Sequence, residues 1–143
     1  MGAYIGGGDH QEIEALGSFG LNIGYAFQII DDILDVTGRE ADLGKRRGMD
    51  ILDGKPNLPL MIAMQGHYPG GVRVQEIFKK PKKTPEEVEE VLSLIQATDA
   101  LDQSRKYAKD FQAKALASLE DVPDSTYRGA LTTLAHTVVE RKS

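Results

Sequence analysis

The chain contains no cysteine, which excludes a disulfide framework and thiolate chemistry and fits a reducing compartment. No apolar run approaches the length of a membrane span. The opening residues Met1-Gly2-Ala3-Tyr4-Ile5-Gly6 have neither the basic flank nor the apolar core of a signal peptide. Gly6 also stands where a myristoylation signal needs Ser or Thr. A cytoplasmic location is the expectation. Positive charge is in deficit: the net charge of -5 argues against nucleic acid as a partner. The basic runs Lys45-Arg46-Arg47 and Lys79-Lys80-Pro81-Lys82-Lys83 are too short to reverse that, and the second is most simply a solvated loop. No Ser-His-Asp or Cys-His arrangement, internal repeat or convincing strand is present. What remains is 143 residues, 41% hydrophobic and 27% charged, the makeup of a soluble globular protein with length enough for a core.

The spacing of apolar residues predicts helices joined by loops, a single all-helical segment over 1–143. Asp9 followed by Glu12 forms a capping box, after which Ile13, Leu16, Ile23, Phe27, Ile30 and Leu34 recur at three- and four-residue intervals. This marks a long amphipathic helix to about Val36. A loop is expected from Thr37 to Asn57. Asn57 then caps a short helix from Leu58 to Gln65, with Pro59 in its first turn and Gly66 stopping it. Val72 to Phe78 forms another short helix. Thr84-Pro85-Glu86-Glu87 supplies a cap, a first-turn proline and a capping-box glutamate for a helix to about Gln96. The next is expected from about Asp99 to Leu119, and Asp124 opens a last one through Leu131, Leu134, Val138 and Val139.

The chemistry is concentrated in Asp31-Asp32-Ile33-Leu34-Asp35. On a helix Asp31 and Asp35 stack on one face and Asp32 lies about 100° around it. Such a cluster repels itself by a few tenths of a kcal/mol per pair even in water, and more beside Phe27, Ile30 and Leu34, where screening is poorer. A cation relieves this. Carboxylates are the hard ligands Mg²⁺ takes, usually with water and a substrate's phosphates completing its shell. The alternative is a solvated acidic stripe. Upstream, Gly17, Gly20 and Gly24 each cost up to about 1 kcal/mol relative to alanine in a helix, so something must approach there closely. Gly17, Leu21, Gly24, Gln28, Asp31 and Asp35 fall on adjoining turns of one side. They are read either as a cavity wall with a polar, metal-holding end or as small-residue packing between helices. In the following loop, Gly44-Lys45 and Gly54-Lys55 set lysines beside glycines, with Asp50 between them. Lysines in such places suit phosphate oxygens, although the frame is not a P-loop.

The order of these signals closely resembles the trans-type polyprenyl diphosphate synthases, the farnesyl and geranylgeranyl diphosphate synthase family. The resemblance rests on Gly24-Tyr25-Ala26-Phe27-Gln28-Ile29-Ile30-Asp31-Asp32-Ile33-Leu34-Asp35, Leu43-Gly44-Lys45, Gly48-Met49-Asp50 and Asp53-Gly54-Lys55-Pro56-Asn57-Leu58-Pro59. The tail, with Pro123-Asp124-Ser125, Tyr127-Arg128 and Val138-Val139-Glu140-Arg141, fits as well.

The resemblance implies an all-α fold, the C-terminal half of the isoprenoid synthase helical bundle. It implies a prenyltransferase in which Mg²⁺ ions hold an allylic diphosphate, the diphosphate departs, and the double bond of isopentenyl diphosphate attacks the resulting cation. Asp31 would ligate Mg²⁺ directly, with Asp32 and Asp35 helping directly or through water. Lys45 and Lys55 would hold the allylic diphosphate, Asp50 would order metal-bound water, and Phe27 and Gln28 would line the reacting ends. Asn57 stands where Thr is common, at a cap either residue can fill. The family's first aspartate-rich motif, its isopentenyl diphosphate-binding basic residues and its lysine-threonine motif find no match here. The chain is therefore expected to be a C-terminal half, as one product of a split synthase or as a truncated piece. It would be inactive or nearly so alone, and would need a chain supplying the N-terminal half or a hetero-oligomeric partner. The other functional class is a noncatalytic regulatory or scaffolding subunit that binds a prenyl synthase.

Overall fold

Side-chain caps open several of the helices. The computed structural model describes residues 1–38 and 46–141; the Lys45 assignment lies outside these. In chain order the helices are α1 (Gly2–Ile5), α2 (His10–Thr37), α3 (Met49–Leu52), α4 (Leu58–Ala63), α5 (Gly71–Phe78), α6 (Pro85–Gln96), α7 (Ala100–Ser118) and α8 (Thr126–Glu140), with a 3₁₀ turn at Leu119–Asp121 after α7. The described residues contain no strand.

At the start of α2 the Glu12 N–H donates to Asp9 Oδ1 at 2.8 Å. At α6 the capping box is complete: Thr84 Oγ1 accepts from the Glu87 N–H, and the Glu87 carboxylate accepts from the Thr84 N–H. Lys80 also donates to the Glu87 carboxylate. That ammonium, together with the Thr84 N–H, holds the Glu87 carboxyl down to about 2. Among the differences from expectation, α4 ends at Ala63, short of Gln65. The loop after Thr37 contains α3, whose N-cap Gly48 has φ +78 and offers no capping side chain. The last helix is capped by Ser125 instead of Asp124: Ser125 Oγ accepts from the Arg128 N–H at 3.1 Å, while Arg128 Nη1 ties back to the Val122 carbonyl at 3.1 Å.

The chain forms two compact units, Met1–Ile30 with Tyr107–Arg141, and Asp31–Lys106. Helices α2 and α7 contribute residues to both. In the second unit α6 contacts α3, α4 and α5. Val36, Ile51, Leu60, Val74, Ile77, Val91, Leu92 and Ile95 form its buried core. Tyr68, whose hydroxyl donates to Asp99 and accepts from Gln103 at 2.7 Å, closes one edge. In the first unit Phe19, Ala115, Leu119 and Ala135 form one buried cluster. Gln112 Nε2 donates to the Ala135 carbonyl at 3.0 Å, and the Tyr25 and Phe111 rings meet at 5.1 Å.

The buried side of α2 is broader than the three- and four-residue spacing suggests. Ala15, Phe19, Ala26, Ile29, Ile30, Ile33, Leu34 and Val36 are buried, whereas Phe27 is 44% exposed. Gly17, Gly20 and Gly24 are also exposed, and a Cβ on any of them would meet nothing within 4 Å. Small-residue packing between helices is therefore not what these glycines do among the described residues.

Candidate functional site

The last turns of α2 are drawn into the second unit by Ile33, Leu34 and Val36, and this carries Asp35 inside with them, only 1% exposed. Asp35 Oδ2 accepts from the Asp50 N–H at 3.3 Å, and the Asp35 carbonyl accepts from the Gly48 N–H at 2.8 Å. Asp32 Oδ2 accepts from the N–H of Leu58, the first residue of α4, at 3.0 Å. Asp50 in turn accepts from Asn57 Nδ2 at 3.2 Å, and its carbonyl takes the Lys55 N–H at 2.8 Å. Asn57 Oδ1 accepts from the Leu60 N–H at 2.9 Å. Buried Asn57 thus uses both ends of its amide, one to cap α4 and the other to hold Asp50.

This network assigns the expected site residues different surroundings. Asp31 and Asp32 are half-buried, Asp35 is buried, and Asp50 is half-buried. Asp31 and Asp35 lie one turn apart on α2 and differ in burial: the core residues around Asp35 enclose it, and the Asp50 N–H donates to its carboxylate. Lys55 is exposed and follows Gly54, whose φ of +68 makes the turn. In the first unit, Gln28 is exposed and the Phe27 ring carries the Arg141 guanidinium 4.8 Å from its centroid. The Asn57 link to Asp50 escaped sequence reading, which gave Asn57 a capping role alone. Its one available signal was that the amide keeps two N–H donors after its oxygen has capped the helix.

Among the described residues no three His, Asp or Glu side chains are grouped so as to hold a metal ion by themselves. Mg²⁺ does not demand such a cage, because one or two carboxylates commonly suffice when phosphates and water fill the remaining positions. Half-buried Asp31 and Asp32 offer hard oxygen donors of that kind. A carboxylate that accepts one N–H retains further lone pairs, so the Leu58 contact leaves Asp32 able to take part.

Helices of these lengths, in this order, form the all-α fold of the isoprenoid synthases. The structure is similar to that of geranylgeranyl pyrophosphate synthase from Corynebacterium glutamicum complexed with isoprenyl diphosphate and magnesium. The TM-score is 0.86 at 34% identity, over 99% of this chain and 41% of that one. The polyprenyl synthetase family model matches residues 1–95, and the chain belongs to this family. It is 40% identical over 142 residues to the all-trans-nonaprenyl-diphosphate synthase (geranyl-diphosphate specific) of Rhodobacter capsulatus, covering 98% of this chain and 43% of that protein. It is 33% identical over 142 residues to heptaprenyl diphosphate synthase component 2 of Bacillus subtilis, covering 99% and 40%. The chain thus spans less than half the length of these relatives. No helix among its described residues is long and apolar enough to cross a membrane.

Proposed function

We propose that this chain is the part of a prenyltransferase that supplies the second aspartate-rich Mg²⁺–diphosphate site for condensing isopentenyl diphosphate with an allylic diphosphate. A partner supplies the N-terminal half. The reading is carried by the arrangement around α2: Asp31 and Asp32 stay half-exposed, while Asp35, Asp50 and Asn57 tie the adjoining segment to the helix. In this reading Asp31 and Asp32 would hold Mg²⁺, and Asp35 keeps the segment bearing Asp50 in place. Lys45 and Lys55 neutralise charge on the leaving diphosphate, and Phe27 and Gln28 line the reacting ends. Bound Mg²⁺ would supply electrophilic stabilisation of the negative charge that develops as the diphosphate departs. An apolar enclosure is needed to keep water from the allylic cation. The open glycine face of α2 supports a partner, because a chain that completes the enclosure would find room there. The Bacillus subtilis relative is itself named as one component of a synthase.

The second reading, a noncatalytic subunit that binds a prenyl synthase, is favoured by the inward hydrogen bonds of Asp32 and Asp35, which give two of the three aspartates structural work. The two readings part at Asp31. In a complex with a chain bearing the first aspartate-rich motif, Asp31→Ala is expected to lower the condensation rate by about 10²-fold or more, with the melting temperature unchanged without Mg²⁺. Near-normal turnover in that variant, or loss explained by unfolding of the complex, overturns the catalytic reading. So does robust condensation by the purified chain alone.

A further inference from the structure

Three basic residues that the proposed reaction does not use, Arg46 and Arg47 of the first run and Lys83 of the second, meet in the second unit. Arg46 and Arg47, which precede α3, and Lys83, which precedes α6, line one pocket of about 140 Å³ together with Glu89, Leu52 and Val88. Gly48 makes the close approach possible. Its φ is +78, and a Cβ there would lie 2.7 Å from Val88 Cγ1, so only glycine lets this backbone rest on α6. Arg47 Nη2 donates to Glu89 at 2.9 Å, which holds the guanidinium against the pocket wall. Lys83 Nζ donates to the Lys80 carbonyl at 2.8 Å and lies 3.9 Å from the position a Gly54 Cβ would take. Arg47 and Lys83 thus stand on one pocket with Glu89, in a chain whose net charge is -5. Leu52, itself 41% exposed, and buried Val88 supply apolar surface beside that charge.

We propose that this pocket binds a phosphate or diphosphate group carried on an apolar body, at a site separate from the aspartate cluster and independent of Mg²⁺. The planar fork of an arginine matches two phosphate oxygens at once, and lysine adds a compact charge. The volume equals about four to five waters, room for a phosphate-sized group and too little for a folded segment. Leu52 and Val88 then favour an ester with a hydrocarbon portion over a bare anion. Such a group could reach the pocket as a lipid headgroup in a bilayer or on a soluble amphiphile.

The test uses the full chain in EDTA, where diphosphate cannot bind through metal. One arm titrates monomeric dodecyl phosphate and inorganic diphosphate by calorimetry. The other measures cosedimentation with phosphatidylcholine vesicles containing phosphatidic acid. Binding is expected in at least one arm, weakening as salt is raised. Binding only to vesicles identifies the headgroup as the source, and binding only in solution identifies the free amphiphile. Arg47→Gln and Lys83→Gln are each expected to weaken binding about tenfold, since each removes a charged hydrogen-bond donor. Glu89→Gln removes the opposing carboxylate and is expected to tighten it several-fold, an effect that loss of folding would not produce. Asp31→Ala should leave binding unchanged, so failure of the prenyltransferase reading does not touch this one. The proposal is overturned by absence of binding in both arms, by undiminished binding in Arg47→Gln and Lys83→Gln, by weakening in Glu89→Gln, or by loss of binding in Asp31→Ala.

Discussion

The second unit buries branched side chains completely: Ile51, Ile77, Val91 and Ile95 have no exposed surface, and α6 touches three helices around them. The first unit buries Phe19, Ile29, Ile30, Leu119 and Val138 beside several alanines, yet leaves other large apolar residues outside. Leu21, Tyr25, Phe27, Tyr107, Tyr127 and Leu134 are all exposed, and the glycines of α2 look onto open space. Burial of apolar area is what chiefly offsets the chain entropy lost on folding, so the two units differ in how far they can hold themselves together. The second is stabilised by its own interior. The first has surface left over, and large exposed apolar patches commonly mark contact with another chain.

Core truncation should expose that difference most strongly. Ile95→Ala empties space in a closed interior and is expected to cost about 2–5 kcal/mol, whereas Leu131→Ala, at a half-buried position of the first unit, should cost about 1 kcal/mol. Chemical denaturation gives the totals, and hydrogen exchange of α6 and α8 amides locates the losses. Equal costs would remove the contrast. A smaller separation is expected between two caps of similar chemistry. Asn57→Ala removes a buried cap and the bond to Asp50 together, about 2 kcal/mol, while Ser125→Ala removes an exposed cap, about 0.5–1 kcal/mol. Placing alanine at both positions tests additivity.

Acid supplies the smallest effect and acts on the second unit. The Glu87 carboxyl is depressed from its ordinary 4.5 to about 2, first by Lys80 and then by the Thr84 N–H. Glu90 is lowered by Arg73, and Asp99 by the Tyr68 hydroxyl. A carboxyl with a lower value folded than unfolded contributes stability that is fully present above the unfolded value and lost as pH falls through the folded one. The second unit's exchange protection should therefore decline between about pH 4.5 and 2, less steeply in Glu87→Gln. Salt should shrink the effect, because these pairs are near solvent. No difference in slope between wild type and Glu87→Gln would show that the capping box does not carry it.

What the sequence makes legible follows the range of the interactions. Thr84 and Glu87 lie three residues apart and declare α6 on their own, and Asn57 declares α4 in the same way. The family signature is equally local, since most of its residues fall in one helix and the loop after it. The missed features depend on partners far along the chain. Helix α3 starts at a glycine whose left-handed backbone is held against α6. Periodicity places Asp35 one turn after Asp31 but cannot see Asp50, fifteen residues on, whose N–H reaches it. The amphipathic spacing of α2 likewise could not show that Phe27 would remain exposed while Ala26 and Ile33 went inside. The second basic run read as a solvated loop, and nothing local in it announced that Lys83 lies on one pocket with Arg46 and Arg47.

Asp35 also acts on chain statistics. By holding the N–H groups of both Gly48 and Asp50, it closes the intervening segment at its root. The entropy of closing such a segment grows only with the logarithm of its length, and a doubling adds about 0.6 kcal/mol. The clasp therefore sets the position of Gly48 and Asp50 at an entropic cost that depends little on how many residues separate them from Asp35.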